Sequence, residues 1–220
     1  EKSIKNILIN DKIPFIVGGT GFYIDALVKD SSLPKVPPNK KLRAELAKQS
    51  AEQLFSKLKT LDPRRTKTID PKNKRRLIRA LEIIKTTGKP VPAIKESSRY
   101  NVLYLGINPP QNMLDNKIKL RLKSRLRQGM IIEVEGLLKK GVSKKRLYDL
   151  GLEYRWVGDY LNNKITKQEM EAGLLRDIIK YSKRQMTWFN RNKEIHWVNP
   201  PTGGQKEAEK LVKKFISPLP

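Results

Sequence analysis

Residues 14–23 read Pro14-Phe15-Ile16-Val17-Gly18-Gly19-Thr20-Gly21-Phe22-Tyr23. Pro14–Val17 is a short apolar run of the kind that forms a buried strand. Gly18-Gly19-Thr20-Gly21 supplies a turn, and Phe22 to Val28 has the pattern of a helix. Strand, glycine turn and helix in succession are the βα unit of an α/β protein. Such a turn at a helix start presents backbone N–H groups and the Thr20 hydroxyl where an anion or a substrate can come close. Glycine turns joining strands to helices are common, so the turn taken alone suits a plain connection equally well.

Downstream, Ser31 to Asn39 is rich in proline and serine and marks an exit from this core. Three helical segments follow with no strand between them. The first lies around Leu42 and Leu46. The second opens with the capping box Ser50-Ala51-Glu52-Gln53 and places Leu54, Phe55, Leu58 and Leu61 on one face. The third is expected to be capped by Asp70, with Pro71 at its first position and Gly88 and Pro90 at its end. Together they predict a helical insertion over residues 31–99. Tyr100–Gly106 then predicts a strand returning to the sheet, so 1–30 and 100–220 form the α/β core. A long helix carries Ile118, Leu122 and Leu126 at spacings of four. Another is capped by Thr166 and Glu169 and runs through Met170, Leu174, Ile178 and Tyr181 to Trp188. Ile195–Val198 predicts a late strand, and Ala208, Leu211, Val212 and Phe215 an amphipathic last helix.

The charge narrows the choice of partner. The 220 residues hold 47 Lys and Arg against 22 Asp and Glu, a formal net charge of +25. Neutralising phosphates releases condensed counterions, so a field of this sign favours a nucleic acid. Basic residues are also banded. Lys72, Arg75, Arg76 and Arg79 share one face of the third helix, opposite Leu77, Ile78, Leu81 and Ile84, with no acid interleaved. Lys117, Arg121 and Arg125 recur every four residues on the later helix and suit a diphosphate or an RNA backbone. Either stripe can also be an ordinary solvated face, and the lack of an interleaved acid on the first favours RNA. Tyr154-Arg155-Trp156 and Lys180–Arg184 mix aromatic and basic groups suited to unpaired bases, although Trp156 and Trp188 are expected to be core anchors. The chain has no cysteine and one histidine, His196; disulfides and thiolate metal sites are excluded, and no metal-ligating set emerges. No apolar run is long enough to cross a bilayer, and the charged start is unlike a signal peptide. A cytoplasmic protein without a membrane partner is expected. The chain begins at Glu1 rather than methionine, which predicts an upstream segment.

Three blocks resemble those of the tRNA dimethylallyltransferase family. Ile13–Tyr23 is similar to its Val-Gly-Gly-Thr-Gly-Leu-Tyr signature. Arg75-Arg76-Leu77-Ile78-Arg79-Ala80-Leu81-Glu82, ending in Thr87-Gly88-Lys89-Pro90, is similar to its second. Lys183-Arg184-Gln185-Met186-Thr187-Trp188-Phe189 with Ile195-His196-Trp197 is similar to its third. Order and spacing agree from about Pro14 to Val198. The resemblance implies an ATP-binding (nucleotide-binding) P-loop type of parallel-sheet core with a helical insertion, helix-rich overall. It implies an enzyme that moves a dimethylallyl group from dimethylallyl diphosphate to N6 of the adenosine 3′ of the anticodon, in tRNAs reading U-starting codons. The partners it implies are the tRNA anticodon stem-loop and dimethylallyl diphosphate, with Mg²⁺ as cofactor, and the protein a monomer.

By matching positions, the resemblance places Thr20 and Arg43 beside the reacting adenine. It makes tRNA-contacting segments of Arg75, Arg76, Leu77, Ile78 and Arg79, and of Leu150, Gly151, Leu152, Glu153, Tyr154 and Arg155. Arg121 is the candidate catalytic residue, on the diphosphate. The family's phosphate-binding loop, the aspartate that serves as base and most Mg²⁺ ligands belong upstream of Glu1, so the chain alone is expected to bind tRNA without transferring a prenyl group. Two local departures stand out: Glu153 occupies a position where glycine is common, and Ile179-Lys180 replaces an expected Arg-Gln pair. A P-loop kinase of a small metabolite and a non-catalytic RNA-binding module are the rival readings.

Overall fold

Helices make up most of the chain. The computed structural model describes residues 1–29, 34–92, 99–199 and 202–217, so Ser31 and its two followers in the expected exit lie outside the described residues. Two units are distinguished, one of Glu1–Ile16 and Phe22–Asn101, the other of Val17–Gly21 and Val102–Pro220.

The first unit is helical. It carries α1 (Lys2–Ile9), α2 (Gly21–Val28, from Phe22 onward), α3 (Lys40–Ala47), α4 (Ala51–Leu61), the short α5 (Pro63–Thr66) and α6 (Lys74–Thr87). The capping box at Ser50 forms as expected: the Gln53 amide donates to Ser50 Oγ and the Ser50 amide to Gln53 Oε1. The start of α6 differs from expectation. Asn73 caps it by accepting from the Arg76 amide, while Asp70 accepts from the Lys72 amide in a turn upstream. An Asx turn at Asp70 satisfies the backbone locally and delays the helix by three residues. Gly88, in the left-handed region at φ 66°, ends α6 where the sequence placed its end. Leu46, Leu54, Leu58, Leu77 and Leu81, all fully buried, form the core with Val36, Ile69, Ile83 and Ile84. Each such leucine contributes about 2 kcal/mol through burial.

The first unit also takes in α1 and α2. Ile4 of α1 and Val28 of α2 are buried, and the Arg99 amide donates to the Val28 carbonyl at 3.0 Å. Arg99 also pairs with Glu1 at 2.6 Å, tying the start of the unit to its end.

The second unit holds β1 (Tyr104–Ile107), α7 (Gln111–Arg127), α8 (Met130–Lys139), α9 (Lys144–Leu150), α10 (Leu152–Leu161), α11 (Lys167–Phe189), β2 (Ile195–Val198) and α12 (Gly204–Ile216). Its two strands run parallel, with Tyr104 opposite Ile195 and Ile107 opposite Val198. Both occupy stretches expected to be strands, β1 at the downstream end of its stretch. The capping box at Thr166 and Glu169 is present at the start of α11. Leu122, Met130, Val134, Leu147, Val157, Met170 and Leu174 form the core between the helices.

Pro14–Val17 is not a strand. The segment is irregular, with Phe15 76% and Val17 93% exposed. A strand exists through lateral hydrogen bonds, and among the described residues none pairs with this segment. Parallel pairing of a small sheet and a majority of helix are therefore the architecture observed.

Candidate functional site

The Gly18–Gly21 turn belongs to the second unit, where the C-terminal half of α11 meets it. Gln185 Nε2 donates to the Gly19 carbonyl at 2.8 Å across a separation of 166 residues. Gly21 lies so close to Trp188 that a Cβ there would fall 2.2 Å from the indole Cδ1, so only glycine fits without displacing the ring. Tyr181, Gln185 and Trp188 follow one helical stripe of α11. Arg184 stacks over Tyr181 at 5.7 Å and Arg191 over Trp188 at 5.4 Å, giving the stripe cationic cover. Thr20 is exposed at the tip of the turn, and its hydroxyl makes no hydrogen bond among the described residues. It does not cap α2; the hydroxyl is open to a partner.

In the first unit, the basic face of α6 carries Arg75, Arg76 and Arg79. Arg75 and Arg76 are exposed. Arg79 is engaged: its Nη1 donates to Glu82 at 2.6 Å and its Nη2 to the Val36 carbonyl at 2.9 Å. The face is thus not free of acid, because Glu82 lies one turn on and folds inward. Glu82 is fully buried and also takes Arg43 of α3 bidentately, Nε at 2.8 Å and Nη2 at 2.7 Å, together with the Asn39 amide at 2.7 Å. The Arg43 bond above all, then Arg79 and the Asn39 amide, hold its carboxyl at about 2 against the upward push of burial. Leu77 is in the core and cannot join an outward surface, and Ile78 packs against that core. Their apolar spacing on α6 already places them on the face opposite the arginines.

The segment Leu150–Arg155 spans the junction of α9 and α10. Gly151 adopts φ 153°, ψ −178°, a conformation essentially confined to glycine, and sets the angle between the two helices. Leu150 is 42% exposed and Leu152 half-buried. Every polar side chain of the segment has an acid or base partner. Glu153 Oε1 accepts from Arg125 at 3.0 Å, Tyr154 donates to Glu133 at 2.6 Å, and Arg155 donates to Asp177 at 2.6 Å. Asp177 Oδ2 also accepts from Trp156 Nε1 at 3.0 Å. The bond to Glu133 raises the Tyr154 pKa, with burial acting in the same direction. Trp156 packs on the helical core and presses on Gly173 of α11, as an anchor would. Glu153, in the glycine-favoured position, is thus the partner of Arg125 in the α7 stripe. Arg121, one turn earlier on α7, is exposed and has no ion-pair partner among the described residues.

No group of three or more His, Cys, Asp and Glu suited to a metal occurs among the described residues. No described helix is long and apolar enough to cross a membrane. Of the residues that sequence reasoning passed over, Glu82, Asp177, Gln185 and Gly173 matter most. Glu82 and Gln185 sit inside quoted blocks, but nothing in those blocks indicates what each side chain meets.

A family model described as IPP transferase matches residues 1–192. The tRNA dimethylallyltransferase of Pelotomaculum thermopropionicum is 37% identical over 202 residues, covering 89% of this chain and 64% of the relative. The tRNA dimethylallyltransferase 2 of Shewanella sediminis is 42% identical over 195 residues, with coverages of 86% and 64%. Among solved structures, the full-length tRNA isopentenylpyrophosphate transferase of Bacillus halodurans aligns with a TM-score of 0.62 at 30% identity, over 97% of this chain and 71% of that one. A eukaryotic dimethylallyltransferase acting on tRNA shares the fold, with a TM-score of 0.81 at 20% identity over 100% of this chain and 60% of that one. The chain spans 64% and 62% of the length of the first two curated relatives it matches. With the match covering most of the chain, including the first two signature blocks and Lys183–Phe189 of the third, the chain belongs to the IPP transferase family.

Proposed function

We propose that the protein is a tRNA dimethylallyltransferase, acting on the adenosine 3′ of the anticodon in tRNAs that read U-starting codons, as a cytoplasmic monomer. The observation that carries this reading is the meeting of the Gly18–Gly21 turn with Gln185 and Trp188. It joins the first and third signatures of the family in one place and leaves Thr20 exposed there. In this reading the second unit contributes to a P-loop type of catalytic core, and the first carries the helical insertion.

The reaction forms a bond between adenine N6 and C1 of the dimethylallyl group and breaks the C1–O bond. Diphosphate leaves with the electron pair, and N6 loses a proton to a base. The adenine must leave its stack to align its amine with that bond. The open Thr20 hydroxyl is suited to hold the acceptor nucleotide. Arg121 offers an exposed cation for the charge that grows on the leaving diphosphate. Arg75 and Arg76 offer exposed cations for the tRNA backbone, and Leu150–Arg155 a held surface for the anticodon loop.

Deleting the gene for this protein and sequencing the tRNA modifications by mass spectrometry tests the reading. Loss of N6-dimethylallyladenosine beside the anticodon, restored by the gene and not by a Thr20→Ala copy, is expected. Unchanged modification with tRNA still bound by the purified chain would leave an RNA-binding module. Unchanged modification without tRNA binding would point to the kinase reading.

A further inference from the structure

The position of Glu82 gives Arg43 and Arg79 different tasks. Its two carboxylate oxygens accept from the Asn39 amide, Arg43 Nε, Arg43 Nη2 and Arg79 Nη1, all between 2.6 and 2.8 Å. A carboxylate has about four acceptor sites, so this one is saturated. Arg79 has both terminal nitrogens occupied, the second by the Val36 carbonyl, and so clamps the segment before α3 onto α6. Arg43 is gripped along its Nε–Nη2 edge alone. Its Nη1 has no partner among the described residues, and its side chain is 41% exposed.

We propose that Glu82 is a positioning residue for RNA: it holds Arg43 by one edge and directs the Nη1 side outward, ready for one backbone phosphate. The assignment rests on the tRNA reading of Arg43 given above. A guanidinium offers five donors in a rigid fork, so engagement of one edge leaves a second pair in a fixed direction. An unheld arginine loses rotamer freedom when it meets a phosphate; one already fixed loses little. Arg43 is held from a buried acid on a different helix, which makes its direction a property of the fold rather than of a flexible side chain. Glu82 therefore touches no substrate and acts through Arg43.

The sign of one substitution separates positioning from simple electrostatics. Glu82→Gln removes a negative charge, which by charge alone would tighten RNA binding. Positioning predicts the reverse. Binding of unmodified tRNA is measured over a salt series, below the melting temperature of each variant, for the native chain, Arg43→Ala, Glu82→Gln and the double variant. Arg43→Ala is expected to weaken binding about tenfold and to lower the log–log salt slope by about 0.7–0.9. Glu82→Gln is expected to weaken it about threefold to tenfold, and to add nothing in the Arg43→Ala background. Equal or tighter binding by folded Glu82→Gln overturns the assignment. If Arg43→Ala changes nothing, the RNA role of Arg43 itself fails and Glu82 loses its task with it. Should Glu82→Gln not fold, NMR relaxation of the Arg43 Nε–H in the native chain decides. A signal as rigid as the backbone supports the assignment, and one as mobile as that of Arg76 overturns it.

Discussion

Replacing Gly173 by alanine tests the packing that holds the Leu150–Arg155 segment. Both Gly173 of α11 and Gly136 of α8 lie inside helices, where alanine is favoured over glycine by about 1 kcal/mol. A Cβ at Gly136 meets nothing within 4 Å, so Gly136→Ala should stabilise by about that amount. At Gly173 the same Cβ would fall 2.2 Å from Trp156 Cη2 and 2.4 Å from Cζ3. The indole is rigid and is held at Nε1 by Asp177, which also holds Arg155, so it cannot withdraw cheaply. Overpacking of this kind costs about 1–3 kcal/mol, and loss of the Nε1 bond about 1 more. After the helix gain, Gly173→Ala should destabilise by about 1–3 kcal/mol. Urea unfolding followed by tryptophan fluorescence reports on the second unit alone, because Trp156, Trp188 and Trp197 all lie there. In a Trp156→Leu background the cost should vanish and the helix gain return. A Gly173→Ala variant as stable as Gly136→Ala, or a cost that survives in Trp156→Leu, would refute the reasoning.

Acid titration should expose Glu82. Its carboxyl lies at about 2 in the fold against an ordinary 4.5, so the contribution is fully present above about 4.5 and is lost as pH falls from there through about 2. At about 1.4 kcal/mol per pH unit it amounts to about 3 kcal/mol. The stability gap between the native chain and Glu82→Gln should therefore close across that window, and a constant gap would rule the linkage out. Glu153→Gln should act on RNA in the opposite sense to Glu82→Gln. By freeing Arg125 it should tighten tRNA binding a few-fold and steepen the salt slope by up to about 0.9; an unchanged slope would show that Arg125 does not face RNA.

Local chemistry was legible in the order of residues. Ser50 with Gln53 and Thr166 with Glu169 form their boxes, and Gly88 ends α6, because each device needs only neighbours within one turn. The apolar spacing of Leu77 and Leu81 marked a buried face for the same reason, and Ile195–Val198 read as a strand by its own composition. Pro14–Val17 had equal strand character and is irregular, since pairing depends on a second segment that composition does not supply. Asp70 lost the cap of α6 to Asn73 because two good capping residues three apart compete, and the turn at Asp70 decides between them. The signatures themselves were visible as words, and their charge pointed to a polyanion. Tertiary structure alone decided which of their cations are engaged. Glu82 reaches Arg43 across 39 residues, Gln185 reaches Gly19 across 166, and Glu153 takes Arg125 from what read as a uniform basic stripe. Helical periodicity states which face a side chain leaves from, whereas an ion pair depends on which other helix the fold brings to that face.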